Sequence, residues 1–273
     1  IRMAEFPKSL VLVGAGKMGG AMLEGWIGAG LSGSAVTVMD PLPSDELKAF
    51  AAQHHIAINP TTPVAAPEVL VLGIKPQMLD AAAPQLAPLA SAQTLVVSIL
   101  AGKTIANLKA RLPQARAFVR AMPNLPASVG RGISGAAANP SVTPHQRAIA
   151  DTLLKGVGRV EWVAREELID AVTGLSGSGP AYVFYLVECL AKAGEAQGLP
   201  ADLALRLARA TVEGAGELLH QSDLPASTLR HNVTSPGGTT AAGLQILMGE
   251  DGLAPLIEST VAAATRRATE LSG

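Results

Sequence analysis

The sequence predicts an α/β amino-terminal domain with a doubly wound, mostly parallel sheet, followed by an all-α carboxy-terminal domain. Three observations predict it. Short apolar runs alternate with amphipathic stretches as far as residue 163, a glycine-rich turn sits at the first strand–helix junction, and strand-like runs stop after residue 166. Such alternation produces parallel strands with helices covering both faces. The expected division is therefore residues 1–166 and residues 167–273.

The candidate strands are residues 10–13, 35–39, 69–74, 95–99, 117–121, 133–137 and 159–163. The early ones are apolar throughout rather than alternating, the pattern of parallel strands buried on both faces. Helices are predicted between them at residues 17–29, 44–55, 76–89, 105–112 and 144–155.

The first turn reads Gly14-Ala15-Gly16-Lys17-Met18-Gly19, a G-x-G-x-x-G motif between an apolar strand and a helix. In that setting the first glycine permits a tight turn. The second lets a pyrophosphate approach the backbone, and the third lets helix and strand pack closely. The helix N-terminus then faces the phosphates. This predicts a Rossmann domain holding a nicotinamide dinucleotide, NADPH or NADH. Asp40 ends the second strand about 20 residues beyond the motif, the spacing of a carboxylate that binds the adenosine ribose and disfavours a 2′-phosphate. It reads equally as a turn acid, because Pro41, Pro43 and Ser44 follow it, and Lys48 is the nearest cation. Later strand ends supply Gly73-Ile74-Lys75-Pro76, then Ser98, Ala101, Gly102 and Asn124. Lys75 suits a phosphate or ribose, the small residues leave room for a nicotinamide ring, and Asn124 suits substrate or carboxamide.

The second half predicts helices at 181–197, 203–220, 240–248 and 256–271, with a short helical piece before Asn232. Pro180 suits a first helical position, and Gly198 with Pro200 suits a stop. These helices are apolar on more than one face, which a domain of about 100 residues cannot bury alone, so an intertwined dimer is expected. The Gly174–Gly179 run is not a hydrolase elbow, since Ser rather than Gly stands at 178. It fits tight helix packing or an anion-binding set of amides. The segment Asn232-Val233-Thr234-Ser235-Pro236-Gly237-Gly238-Thr239-Thr240 leads into a helix start. Free N–H groups and two threonine hydroxyls there suit a small carboxylate; an ordinary capped helix start uses the same residues.

Composition narrows the function classes. A net charge of −1 without a basic block argues against nucleic acid. The longest apolar runs are strand-length, so no membrane span or secretory signal is expected. Met3 is expected as the natural start, with Ile1 and Arg2 upstream of it. The single cysteine, Cys189, excludes an intrachain disulfide and suits a reducing cytoplasm. Its apolar neighbours place it in a helix core. No metal-ligand cluster is legible.

Six ordered stretches carry a resemblance: residues 14–19, 74–77, 98–102, 120–126, 173–182 and 233–240. Through them the chain resembles the pyrroline-5-carboxylate reductases along nearly its whole length. The resemblance implies a helical domain of the 6-phosphogluconate dehydrogenase C-terminal-like type, interdigitated in a homodimer, with dimers often assembling into homodecamers. It implies hydride transfer from NAD(P)H to the imine carbon of a cyclic imino acid, giving L-proline. Thr240 would meet the ring nitrogen, and Ser235, Pro236, Gly237, Gly238 and Thr239 would hold the carboxylate, with Asn232 at the start of the segment. Asp223 stands where the family often has Glu near the substrate amine, and it is the shorter acid. A cyclic iminium already carries positive charge, so no catalytic histidine is required. Two rivals remain at this point. A 3-hydroxyacid or 6-phosphogluconate-type dehydrogenase would want a lysine in the linking helix, and residues 168–185 contain none. A nucleotide-binding sensor without turnover would not need a second carboxylate site.

Overall fold

A computed structural model describes residues 6–272, so the expected start at Met3 lies outside the described residues. Eight strands form one sheet: β1 (Leu10–Val13), β2 (Val36–Met39), β3 (Ala57–Ile58), β4 (Val69–Leu72), β5 (Leu95–Ser98), β6 (Ala117–Met122), β7 (Gly132–Ala138) and β8 (Gly158–Trp162). Their order is β3-β2-β1-β4-β5-β6-β7-β8. All neighbours are parallel except β6 and β7, so the mostly parallel expectation holds. The seven expected strands are present, with shifted ends. The two-residue edge strand β3 was not anticipated, because so short a run carries no periodicity.

Successive residues of β1 face opposite cores. Leu10 and Leu12 pack on one side of the sheet with Met22, Leu23 and Trp26 of α1 (Lys17–Gly28). Val11 and Val13 pack on the other with Leu79 and Leu86. Both faces are therefore covered, which explains the unbroken apolar strands. The remaining helices of this half are α2 (Asp45–Gln53), α3 (Leu79–Leu86), α4 (Ile105–Arg111) and α5 (Pro144–Lys155). The single helix expected over 76–89 is broken. Turns of 3-10 type at Pro76–Met78 and Ala87–Leu89 flank α3. Pro88 lacks the N–H that a continuous helix would use, whereas Pro76 opens the first turn and Pro84 lies inside α3. Trp26 fixes α1 to α5 by donating from Nε1 to the Leu153 carbonyl at 2.7 Å.

The rest is helical: α6 (Leu168–Val172), α7 (Gly179–Ala196), α8 (Ala201–Gln221), α9 (Ala226–Asn232), α10 (Thr239–Leu247) and α11 (Leu253–Ser272). Between α6 and α7, Thr173–Gly177 forms a π-helical turn, and the Ser178 N–H bonds the Thr173 carbonyl at 2.9 Å. The glycine–serine run therefore winds within a helix rather than presenting a loop of amides. Its smallness has a packing use, since a Cβ on Gly177 would lie 2.8 Å from the Met122 Cε.

The chain forms two compact units. The first comprises the described residues through Ser178 and those from Ala264 onward; the second is Gly179–Ala263. The sequence division fell at 166/167, yet α6 and the end of α11 group with the sheet. An ion-pair cluster is the reason. Arg120, on β6 and almost fully buried, pairs with Asp170 at 2.8 Å and Glu166 at 3.5 Å. It also donates to the Ser272 hydroxyl at 3.3 Å, and Glu166 accepts the Ile105 N–H at 2.7 Å. One guanidinium thus joins β6, α6, the start of α4 and the end of α11.

In the second unit α7 packs on α8 through small residues: Ala191, Ala204 and Ala208 are buried, and a Cβ on Gly194 would lie 3.2 Å from the Ala204 Cβ. Large apolar side chains point outward instead. Phe184, Tyr185, Leu218, Ile246 and Leu256 are each more than half exposed. Cys189, expected in a helix core, is also exposed, on a face of α7 left uncovered by the described residues. Among the described residues no helix is long and apolar enough to cross a membrane.

The Arg120 cluster yields a stability prediction. Arg120→Met strands a buried Asp170 carboxylate without its counter-charge, and should lower unfolding free energy in urea by about 3–5 kcal/mol. A loss below about 1 kcal/mol, the range of exposed ion pairs, would contradict the structural role given to this cluster.

Candidate active site

The glycine motif sits where β1 turns into α1. Gly14 has φ +86°, a left-handed conformation, and donates its N–H to the Met39 carbonyl at 2.8 Å. Gly73, at the end of β4, donates to the Val13 carbonyl at 2.8 Å. The two turns meet backbone to backbone. A Cβ on Gly14 would lie 2.8 Å from the Ile74 nitrogen, and one on Gly73 would lie 2.8 Å from the Gly14 oxygen. Here β1 has β2 on one side and β4 on the other, so the chain order reverses direction across the sheet at this point. Ligands of open α/β sheets bind in the crevice at that position.

Gly16 is the N-cap of α1 and offers no side-chain cap, so the N–H groups of the first turn stay available. Nothing lies within 4 Å of the Cβ position on Gly16, whereas Gly19 backs directly onto the Gly14 carbonyl. Lys17 is exposed beside them, Met18 is half-buried, and the Ala15 N–H points to Asp40. A pyrophosphate fits such a cradle: free donors, an open glycine face, a cation and the positive end of a 12-residue helix.

Asp40 is half-buried and its carboxylate accepts from two amides, Ala15 at 2.8 Å and Leu42 at 2.9 Å. It caps its own turn and also reaches the glycine loop. Together with Lys17 it lines a groove of about 720 Å³ between the starts of α1 and α2. Lys75 is exposed as the N-cap of the turn at Pro76, while Ile74 is half-buried. Ala101 is exposed. Ser98 is fully buried, and its Oγ accepts the Leu100 N–H at 3.3 Å. Gly102 is buried with φ +69°, and a Cβ there would lie 2.9 Å from the Leu271 Cβ, so packing against α11 accounts for its size. Asn124 accepts the Ile133 N–H at 2.9 Å and donates to the Ser176 hydroxyl at 3.3 Å.

In the second unit Thr234–Gly238 is a tight connection between α9 and α10. Thr234 Oγ1 donates to the Arg230 carbonyl at 2.7 Å, Gly238 N–H bonds the Ser235 carbonyl at 3.1 Å, and Gly237 has φ +69°. Gly238 is the N-cap of α10 and, like Gly16, provides no side-chain cap. Ser235, Pro236, Thr239 and Thr240 are exposed, as are Asn232 at the end of α9 and Asp223 in the turn after α8. The local geometry is that of an open helix N-terminus flanked by hydroxyls.

Two residues had no role in the sequence reading. Asn59 accepts the Asp40 N–H at 2.9 Å and donates to the Asp40 carbonyl at 2.6 Å. Its φ of +44° is a conformation that Asn tolerates. Its signal was an Asn–Pro pair, which marks turns in general. Arg120 entered the sequence reading only as the first residue of the stretch 120–126.

The fold and this cradle define an NAD(P)H-dependent oxidoreductase of the Rossmann type with a helical second domain. Residues 166–271 match the model of the pyrroline-5-carboxylate reductase dimerisation domain, and residues 9–102 match that of NADP oxidoreductase, coenzyme F420-dependent. The chain is 38% identical over 265 residues to the pyrroline-5-carboxylate reductase of Pseudomonas aeruginosa, covering 96% of both. It is 44% identical over 220 residues to that of Synechocystis, covering 80% of this chain and 81% of the relative. A solved pyrroline-5-carboxylate reductase from Coxiella burnetii superposes with a TM-score of 0.88 at 32% identity, over 98% of this chain and 100% of that one. The Plasmodium falciparum enzyme, solved with NADP bound, gives 0.78 at 25% identity over 99% and 100%. The chain belongs to the pyrroline-5-carboxylate reductase family.

Gly16→Ala tests the cradle. Its φ of −66° suits alanine and no protein atom meets the new methyl, so thermal stability should hold. Affinity for NADH, followed by nucleotide fluorescence, should fall about tenfold or more, equal to roughly 1.4 kcal/mol of lost approach. Unchanged affinity would remove Gly16 from the pyrophosphate site.

Proposed function

We propose that this chain reduces 1-pyrroline-5-carboxylate to L-proline with NAD(P)H, the last step of proline synthesis. The observation that carries the reading is that one chain of this family combines the Gly14–Gly19 cradle with the uncapped α10 start at Ser235–Thr240. A bound reduced nicotinamide supplies the hydride.

The chain's own residues bind and orient. Gly16, Lys17 and Met18 hold the pyrophosphate by the open first turn of α1 and one cation, while Gly14, Ala15 and Gly19 shape the turn, the N–H groups of the first two being engaged by Met39 and Asp40. Gly73, Ile74, Lys75 and Pro76 form the adjoining turn, and Ala101 leaves space for the ring. Asn124, already engaged at both ends, supports this wall by fixing the strand end to the π-helical turn. Ser98 and Gly102 act from beneath, through packing. On the substrate side, the first-turn N–H groups of α10 and the residues Ser235 to Thr239 hold the carboxylate. Thr240 places its hydroxyl at the ring nitrogen, with Asn232 and Asp223 as outlying polar groups. No proton donor of shifted pKa is needed, because hydride addition to an iminium gives a neutral amine directly. Positioning and fixed dipoles supply the rate enhancement.

The outward apolar faces of α7, α8, α10 and α11 support a homodimer built from these helices, with further assembly to decamers as in the family. The lone Cys189 suits a cytoplasmic enzyme.

Two measurements test this reading. Thr240→Ala should lower kcat/KM for pyrroline-5-carboxylate about tenfold, the worth of one hydrogen bond to a charged group, without changing thermal stability. An unchanged kcat/KM would remove Thr240 from the site. Light scattering should give an even multiple of the chain mass, and a single-chain mass would contradict the helical dimer.

A further inference from the structure

We infer that this chain selects the cofactor without a 2′-phosphate: Asp40, clamped by Asn59 and seconded by Glu46, makes NADH the preferred hydride donor. The inference rests on the proposed nicotinamide-nucleotide role of the groove and specifies which dinucleotide it takes.

The first observation is that the protein holds the Asp40 carboxylate in a fixed pose and leaves part of its acceptor capacity unused. A carboxylate offers about four lone-pair sites. The amides of Ala15 and Leu42 use one on each oxygen, at 2.8 and 2.9 Å. The remaining acceptor capacity suits two donors, which is what the 2′- and 3′-hydroxyls of a ribose provide. A 2′-phosphate offers acceptors and added negative charge in the same place.

The second observation is the rigidity of this acid. Asn59 bonds both backbone groups of Asp40, at 2.9 and 2.6 Å, across from β3. A side-chain rotation that would clear space for a phosphate must break the bonds from Ala15 and Leu42, and Asn59 keeps the backbone of Asp40 from moving aside instead.

The third is the charge of the groove wall. Its ionisable lining comprises Lys17, Glu24, Asp40 and Glu46. Lys17 stands in the glycine motif, where the pyrophosphate would engage it. Glu46 lies at the start of α2, and its carboxyl is held below the usual range by its own backbone N–H and by the Ser44 hydroxyl. It is therefore an anion at neutral pH, on the same wall as Asp40. Lys48, the cation nearest in sequence, is paired with Asp45 at 2.9 Å. No arginine lines the groove, and arginine is the residue that accommodates a 2′-phosphate in this fold.

The decisive experiment is calorimetric binding to the intact protein, which reads affinity without turnover. NAD+ and NADP+ form one pair of probes, and 5′-AMP with adenosine 2′,5′-bisphosphate forms a second pair confined to the adenosine end. The wild type should bind NAD+ about tenfold or more tighter than NADP+, as like-charge contact requires, with the same order for the fragments. Asp40→Ser should reverse or erase that ratio, and Glu46→Gln should reduce it by strengthening NADP+ binding more than NAD+ binding. Asn59→Ala should weaken NAD+ and narrow the ratio, since it frees the acid to move. Equal or tighter binding of NADP+ by the wild type would overturn the inference while leaving the reductase reading intact. Binding of neither dinucleotide would overturn the reading of the groove itself. A ratio unmoved in Asp40→Ser would show that this carboxylate does not select.

Discussion

The contact between Gly14 and Gly73 is the constraint from which the nucleotide site follows. Two backbone turns, one after β1 and one after β4, approach so closely that a methyl group on either would meet main-chain atoms of the other. Gly14 must also take φ +86°, which costs an ordinary L-residue roughly 1–2 kcal/mol. Because the turns can close up, α1 starts directly over the point where the sheet reverses direction. Its uncapped amides and Gly16 then face open space. A Cβ at position 14 would displace the Ile74 turn and, with it, the start of the helix proposed to hold the pyrophosphate.

A second constraint is electrostatic. Among the described residues Arg120 is the charged side chain buried within the sheet, and the desolvation cost of its charge is offset by Asp170, Glu166 and the Ser272 hydroxyl acting together. Buried ion pairs contribute little net stability against apolar replacements, but breaking one is costly. The cluster therefore makes the attachment of α6 and of the last turns of α11 to the sheet specific. The second unit shows the opposite balance. Its helices meet through alanine and glycine, and they leave bulky leucine, isoleucine and aromatic side chains outside. Packing within one chain does not complete that unit's core.

The legibility of these features in the sequence follows from their range. The strands of the sheet were readable because burial on both faces imposes unbroken runs such as Val69–Leu72. The cradle was readable because its glycines are required by local geometry. The 76–89 helix was misjudged where prolines interrupt a favourable apolar pattern. The π-helical turn was hidden because Gly174-Leu175-Ser176-Gly177 has the composition of a loop, and the close approach of Gly177 to Met122 joins residues far apart in sequence. Asn59 and the partners of Arg120 were invisible for a different reason. Their roles arise from neighbours 19 to 152 residues distant, which no window of sequence joins. On the substrate side, the Ser235–Thr240 segment gave its local form, an open helix start, but a helix start alone names no ligand. The family resemblance supplied that.

The central claim is hydride transfer from a reduced nicotinamide to the imine carbon of pyrroline-5-carboxylate. Mass spectrometry of the product formed with cofactor deuterated at the transferring position of nicotinamide C4 tests it most directly. The account predicts L-proline carrying one deuterium, at the ring carbon of the former C=N bond. Proline without that label, or no proline at all, would contradict it.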